Sequence, residues 1–320
     1  MKRVRLAAAR RLQSGRTLLE LMIALTIGLV ILAALGVVYL STTRTNRQSG
    51  DVSRMSEDAA IAFNLLGINL RMAGFSQPRA LVLPGGAIID GVKQVAADRH
   101  FVGAAVRGCD HGFADVKKGF YDLTCSAGTG PAAIALRFEG DRFNTVPIGT
   151  TPSDCVNNAV TTATPSAIDA TLTYALIDSR FVGQIGTTSN TPELLCAGSG
   201  GTGTAIFNAE PLTQFVDNVQ FSYGVAADRE SRDVIQYMSA SQVDALPTST
   251  ANPVQVVDGR WSRVVNIKAC IVMRSENRNQ ADTGTYIDCD GNPAASADGY
   301  ARRAFNSVYA LRNRSGFLTP

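Results

Sequence analysis

Two hydrophobic patterns organise the first quarter of the chain. Residues 21–40, LMIALTIGLVILAALGVVYL, contain no charged side chain. At about 1.5 Å per helical residue, twenty such residues reach about 30 Å, the depth of a bilayer's hydrocarbon core. From residue 41 the chain turns polar, yet Val52, Met55, Ala59, Ala62, Leu66 and Leu70 recur at steps of three and four. That spacing is the stripe of an amphipathic helix. No proline intervenes before Pro78, and Gly74 is a natural C-terminal stop. The pattern predicts one helix of about 57 residues, roughly 85 Å long. Gly28, Gly36, Gly50 and Gly67 are its weak points, each costing about 1 kcal/mol relative to alanine. The alternative is an anchor, a loop and a separate surface helix.

Beyond residue 75 the period changes to two. Segments 132–141, 170–181, 212–225, 262–276 and 302–314 read as strands. In the fourth, Val265, Ile267, Ala269, Ile271 and Met273 alternate with the more polar set Val264, Asn266, Lys268, Cys270 and Val272, which predicts a sheet packed on one face. Stretches 157–168 and 184–205 are rich in Gly, Ser, Thr and Asn and read as long loops. No internal repeat is present. The expectation is an α+β protein, a long N-terminal helix packed on a β-sheet-rich domain with long loops. Its divisions are a basic leader at residues 1–15, a helix at 16–74 whose transmembrane part is about 18–40, and a β-rich domain at 75–320, large enough to bury a core.

Charge changes the picture at one end only. The net charge is +3, and Lys2, Arg3, Arg5, Arg10 and Arg11 stand in the first fifteen residues without an acid. Without those five the chain carries −2, so the body has no bulk basic character and no nucleic-acid partner is expected. Positive charge ahead of an apolar span places the N-terminus in the cytoplasm and the rest across the membrane. A secretory signal would have a shorter apolar core and a small-residue cleavage site. Here YLSTTRTN follows the run.

The six cysteines, Cys109, Cys125, Cys155, Cys196, Cys270 and Cys289, all lie in the exported part, and their even number suits disulfides in an oxidising compartment. Fifteen pairings are open in principle. The sequential one, Cys109–Cys125, Cys155–Cys196 and Cys270–Cys289, closes the shortest loops. No C-x-x-C occurs and the only histidines are His100 and His111, so the spacings do not favour a zinc site.

Other chemical motifs are weak. GSGGTG at 198–203 fits a dinucleotide fingerprint but opens no helix, and reads as a flexible glycine-rich loop. DCDGN at 288–292 has its glycine fourth where a calcium loop needs it sixth, and reads as a turn beside a disulfide. CDHG at 109–112 offers no nucleophile once Cys109 is oxidised, which leaves His111 as a loop residue. No catalytic set, cofactor site or metal site is expected.

The stretch around Gly15 is different. Gly15 is followed by RTLLEL, in which Thr17, Leu18, Glu20 and Leu21 stand ahead of the apolar run. This start resembles a type IV prepilin, with a short basic leader ending in glycine and an approximate F-T-L-x-E-L sequence. Arg16 departs from the usual apolar or aromatic first residue. NLRMAGF at 69–75 looks like the helix end of minor pilins, and RFEGD, PSDCVNN, LLCAGSG, ACIVMRSEN and RRAFNSVYALRNR are together similar to the PilW group of type IV pilus assembly proteins.

The resemblance implies cleavage between Gly15 and Arg16 by a prepilin peptidase, with methylation of the new amine. It implies that Glu20, then one helical turn from that amine, pairs with an N-terminal amine, its own or a neighbour's; a carboxylate in hydrocarbon is tolerable when paired. Alternatively, Glu20 sits at the headgroup boundary with Arg16 as its partner. The resemblance also favours the sequential disulfides. It implies an inner-membrane precursor with a periplasmic domain, and later a place at the pilus tip or cell surface. The partners implied are other minor pilins and the major pilin, met through the N-terminal helix, and a tip adhesin. The function implied is pilus priming, and so twitching motility or adhesion. A type II secretion pseudopilin is the nearest alternative, and a membrane-anchored periplasmic enzyme or binding protein the more distant one.

Overall fold

A computed structural model describes residues 17–82, 88–89, 92–93, 97–101, 103–167, 169, 171–201, 207–228, 231–247, 259–278 and 284–313. The leader with Gly15, and Arg16, lie outside the described residues, as do the last glycine of the 198–203 motif and the threonine before it. The chain divides into two compact units, Met1–Val52 and Ser53–Pro320.

Helix α1 runs without a break over Leu18–Met72, 55 residues, with Gly28, Gly36, Gly50 and Gly67 inside it. Its end is fixed by glycine chemistry. Gly74 adopts φ 79°, a left-handed conformation that glycine takes without a Cβ penalty. The Gly74 N–H then donates to the Arg137 carbonyl at 2.8 Å, tying the helix exit to the sheet.

In the unit Ser53–Pro320 the stripe of α1 is buried at Met55, Ala59, Ala62, Leu66 and Leu70, five of the six positions that the periodicity picks out. The sixth, Val52, is exposed. Two antiparallel sheets complete the core. The first contains β5 (Val106–Cys109), β6 (Ala133–Gly140), β8 (Thr173–Ile185), β9 (Pro192–Gly198) and β10 (Ala209–Gln214) in the order β10-β9-β8-β6-β5, with β7 (Ala163–Pro165) paired to β8. The second contains β11 (Val216–Val225), β12 (Gln236–Met238), β13 (Val264–Arg274) and β16 (Arg302–Ala310) in the order β12-β11-β13-β16. Short pairs flank them: β1 (Pro78–Val82) with β4 (Ala97–Arg99), β2 (Ile88–Ile89) with β3 (Val92–Lys93), and β14 (Thr285–Ile287) with β15 (Pro293–Ala295). A five-residue helix, α2 (Ala240–Asp244), follows β12. The helix stripe, Leu136, Phe181 and Leu194 of the first sheet, and Phe221, Ile267 and Ile271 of the second form one hydrophobic core.

Four features differ from the sequence expectation. Segment 212–225 is not one strand. It is the end of β10 and the whole of β11, which lie in different sheets, and the chain crosses between them at Phe215 with φ 62°. The apolar alternation runs through this crossing, so nothing in the pattern marks it. Segment 184–205 is not one long loop. β8 continues to Ile185, and β9 is buried at every position between β8 and β10. The Gly, Ser and Thr on both sides of PELLCAG hide a seven-residue strand in the local composition. Segment 157–168 likewise contains β7. Finally, β13 is not packed on one face alone. Cys270 and Val272, on its more polar side, are 3% and 1% exposed. Cys270 is bonded to Cys289 at the turn of the β14–β15 hairpin, and that tether covers this end of the face.

Candidate functional site

In the first unit, the described chain begins as an apolar helix surface with a single carboxylate, Glu20, between Leu18 and Leu40. Thr17 precedes α1, and its Oγ1 accepts the Glu20 backbone N–H at 3.3 Å. Threonine followed three residues later by glutamate is the spacing of a capping box. An acid in the first turn also complements the partial positive charge of a helix N-terminus. The signal is present in the sequence as T-L-L-E, a local capping pattern that hydrophobic periodicity does not register. From Leu18 to Leu40 sixteen large apolar side chains are exposed around the whole helix, Leu18 at 79%, Leu32 at 72% and Tyr39 at 71% among them. A helix apolar on all sides needs an apolar surround, lipid or other helices. The hydroxyls in and after this segment are satisfied locally. Thr26 donates to the Ile23 carbonyl at 2.9 Å and Thr43 to the Tyr39 carbonyl at 2.8 Å. Such back-bonding removes the cost of placing a hydroxyl among hydrocarbon.

The second unit holds the six cysteines, joined as Cys109–Cys125, Cys155–Cys196 and Cys270–Cys289. The first bond links the end of β5 to the segment that bridges Phe113. The second ties the 153–160 loop to β9. There Asp154 accepts the N–H groups of Val156, Asn158 and Gly200 at 3.0, 2.9 and 2.7 Å. This knot explains two glycines of the 198–203 motif. A Cβ on Gly198 would collide with the Asp154 side chain, and one on Gly200 with the Asn158 carbonyl. The described part of that motif is thus packed chain, not a flexible loop. The third bond closes on the 288–292 turn, where Asp288 accepts the N–H groups of Asp290 and Asn292 at 2.9 and 2.8 Å. Among the described residues no group of three or more His, Cys, Asp and Glu is placed to hold a metal ion. His111 is exposed, with Nδ1 3.3 Å from the Gly130 carbonyl. The structure therefore divides the sequence-predicted residues: Glu20 stands in the first unit, the cysteines in the second.

Sequence reasoning missed a buried charge centre. On β8, Arg180 donates two bonds of 2.9 Å to the two Asp178 oxygens, and Arg137 of β6 adds a third at 3.1 Å. Arg180 is fully buried against the Phe207 ring and also donates to the Val116 and Lys118 carbonyls, which fixes that loop. Burial alone would raise the Asp178 pKa, but the two guanidinium groups outweigh it and hold the carboxyl below its ordinary value. Asp178 and Arg180 share a strand face in the sequence, whereas Arg137 joins them only through the β6–β8 register. A smaller device lies at α2. Asp110 accepts the N–H groups of Ala240 and Ser241 at 2.8 and 3.0 Å. Burial works upward on Asp110, but these bonds and those of the Ser241 and Ser239 hydroxyls take its pKa below normal.

Comparison with known proteins bears on both units. Residues 181–313, from β8 to the end of the described chain, match the family described as type IV pilus-assembly protein W. Residues 10–36 match the prokaryotic N-terminal methylation motif, and that match contains Glu20. Among solved structures, a type IV-like pilin from Thermus thermophilus is 8% identical and aligns over 82% of this chain and 99% of that chain, with a TM-score of 0.40. No curated protein matches the sequence.

Proposed function

We propose that this type IV pilus minor pilin acts in a small priming complex at the pilus tip, where with other minor pilins and a tip adhesin it promotes assembly of the fibre, and so twitching motility or adhesion. The observation that carries the proposal is the N-terminal half of α1. Its large apolar side chains are exposed all round, and one carboxylate stands in its first turn. Such a surface suits the bilayer before assembly and a bundle of like helices after it.

In this reading a prepilin peptidase cuts between Gly15 and Arg16 and methylates the Arg16 amine. Glu20 is then about one turn away, and it pairs with that amine or with the amine of the adjoining subunit. An unpaired carboxylate is costly in a membrane-like interior, and the pairing sets the axial register of the helix. The leader is cytoplasmic, the domain periplasmic, and the disulfide-bonded loops serve an exported fold. The role is structural, with no catalytic step.

The test is the processed N-terminus. The protein is isolated from cells with and without the leader peptidase, and its N-terminus is sequenced. A chain starting at methylated Arg16 only in the peptidase-containing cells is the expected result. A terminus beyond Tyr39 in both strains overturns the reading, because it marks removal of an ordinary signal peptide.

A further inference from the structure

We infer that a pocket beside the C-terminal end of α1 binds a carboxylate carried by an acidic peptide segment of a partner protein. The cavity, about 300 Å³, lies wholly within the second unit, and Arg99, Arg232 and Arg312 line it together with Phe75, Ser76, Pro78 and Asn313. Three arginines and no acidic side chain line it among the described residues. Arg232 and Arg312 are exposed, and Arg99 is half-buried.

The rest of the lining is fixed in place. Ser76 is buried; its hydroxyl donates to Glu139 and accepts the Phe101 N–H at 3.0 Å. Glu139 is buried and also takes the Gln77 N–H at 3.0 Å. Phe75 packs on the cluster of Phe138, Val160 and Ile177. Asn313 donates from Nδ2 to the Arg71 carbonyl of α1 at 2.8 Å. Of the described acids near Arg232 in sequence, Asp228 takes the Ser231 N–H at 2.6 Å, and Asp233, the next residue, is exposed and does not line the cavity.

The lining favours one kind of ligand. Arginine presents a planar fork that matches a carboxylate or phosphate with two parallel bonds, and the exposed pair Arg232 and Arg312 brings positive potential to the cavity. Phe75 and Pro78 add an apolar wall, which suits the methylene groups of a glutamate or the body of a peptide. The volume exceeds what a single oxyanion fills. An acidic segment of a protein uses the charge, the wall and the space together, whereas free phosphate uses only the charge. The inference does not depend on the pilus reading, since it concerns the pocket alone.

The test uses the full chain in neutral detergent with its disulfides intact. A fluorescein-labelled hexaglutamate peptide is titrated at low ionic strength and binding is followed by anisotropy, with inorganic phosphate as the second probe. The double variant Arg232→Ala/Arg312→Ala is compared with Arg142→Ala, a change at an exposed arginine that is not part of the pocket. Unaltered circular dichroism and melting of both variants establish that they fold. The expected result is saturable peptide binding, weakened at least tenfold in the double variant, unchanged in Arg142→Ala, and displaced by phosphate only at much higher concentration. Equal binding by wild type and double variant overturns the inference, as does an absence of peptide binding. Phosphate binding tighter than the peptide overturns it in favour of a free-anion site.

Discussion

The Tyr309 hydroxyl donates a 2.8 Å hydrogen bond to the Phe63 carbonyl of α1, with its ring laid over Gly67. This contact fastens the edge strand β16 to the buried stripe of the helix. The ring can approach so closely only because residue 67 has no Cβ: one built there stands 2.6 Å from Tyr309 Cε1. Gly67→Ala should therefore destabilise the domain by up to about 2 kcal/mol, since overpacking of roughly 1–3 kcal/mol is offset in part by the roughly 1 kcal/mol that alanine adds to a helix. Tyr309→Phe, which keeps the ring and removes the bond, should cost about 1 kcal/mol. Denaturant unfolding of the oxidised protein checks both. An alanine variant more stable than wild type would show that the ring moves aside without cost.

The Asp178–Arg180 pair supports a second prediction. Removing one partner of a buried pair leaves an uncompensated charge, so Asp178→Ala and Arg180→Ala should each destabilise by about 3–5 kcal/mol. The double change to apolar residues of similar volume should cost less than the sum of the two single changes. A double-mutant cycle in denaturant measures this coupling, and additive losses would show that the charges do not depend on each other.

The same carboxylate gives a pH dependence. The folded pKa of Asp178 lies below its ordinary value of 3.8. Its contribution is therefore fully present above the unfolded pKa and is lost as pH falls through about 4 towards the lower folded value. Asp298, lowered by its hydrogen bonds with Arg302, acts in the same direction from a more exposed site. Stability should be flat from about pH 5 to 7 and fall below about pH 4. Asp178→Asn should be less stable at neutral pH and show a shallower acid limb. An equally steep limb in that variant would assign the acid transition to other groups.

Cysteine pairing can be checked by non-reducing peptide mapping, which should recover Cys109–Cys125, Cys155–Cys196 and Cys270–Cys289. The bond spanning 41 residues closes the longest loop, so in the chain-entropy picture its removal should cost about 4 kcal/mol, against about 3 for the 16-residue loop. Cys155→Ser/Cys196→Ser is expected to melt lowest of the three double variants. Free thiols throughout would contradict the bonded fold.

What the sequence made legible follows physical range. The α1 stripe is a local pattern of one element, and it identified Met55, Ala59, Ala62, Leu66 and Leu70. The alternation of β13 likewise pointed to its buried set. Two things escaped. β9 is seven residues of buried strand inside polar surroundings, and its status depends on neighbours on both sides. The crossing at Phe215 depends on which sheet each flank joins. At the candidate site, Glu20 and the apolar run were visible because the membrane imposes a length and a charge rule on contiguous residues. Asp178–Arg180–Arg137 and the three arginines of the pocket come together only through the fold.

In the proposed function, the N-terminal half of α1 places this subunit in the pilus through the pairing of Glu20 with an N-terminal amine. Glu20→Ala should leave the domain folded and disulfide-bonded, since that carboxylate stands in the other unit, and membrane insertion should persist because the span becomes more apolar. Glu20→Asp, which keeps the charge and shortens the reach, should be intermediate. The direct measurement is the amount of this protein in sheared pili, with surface pili counted in parallel, in a strain lacking the native copy and at matched cellular protein level. The alanine variant should be largely lost from the pili, and piliation should fall with it. Normal incorporation and normal piliation would contradict that pairing and leave the Glu20 carboxylate as no more than an acid in the first turn of α1.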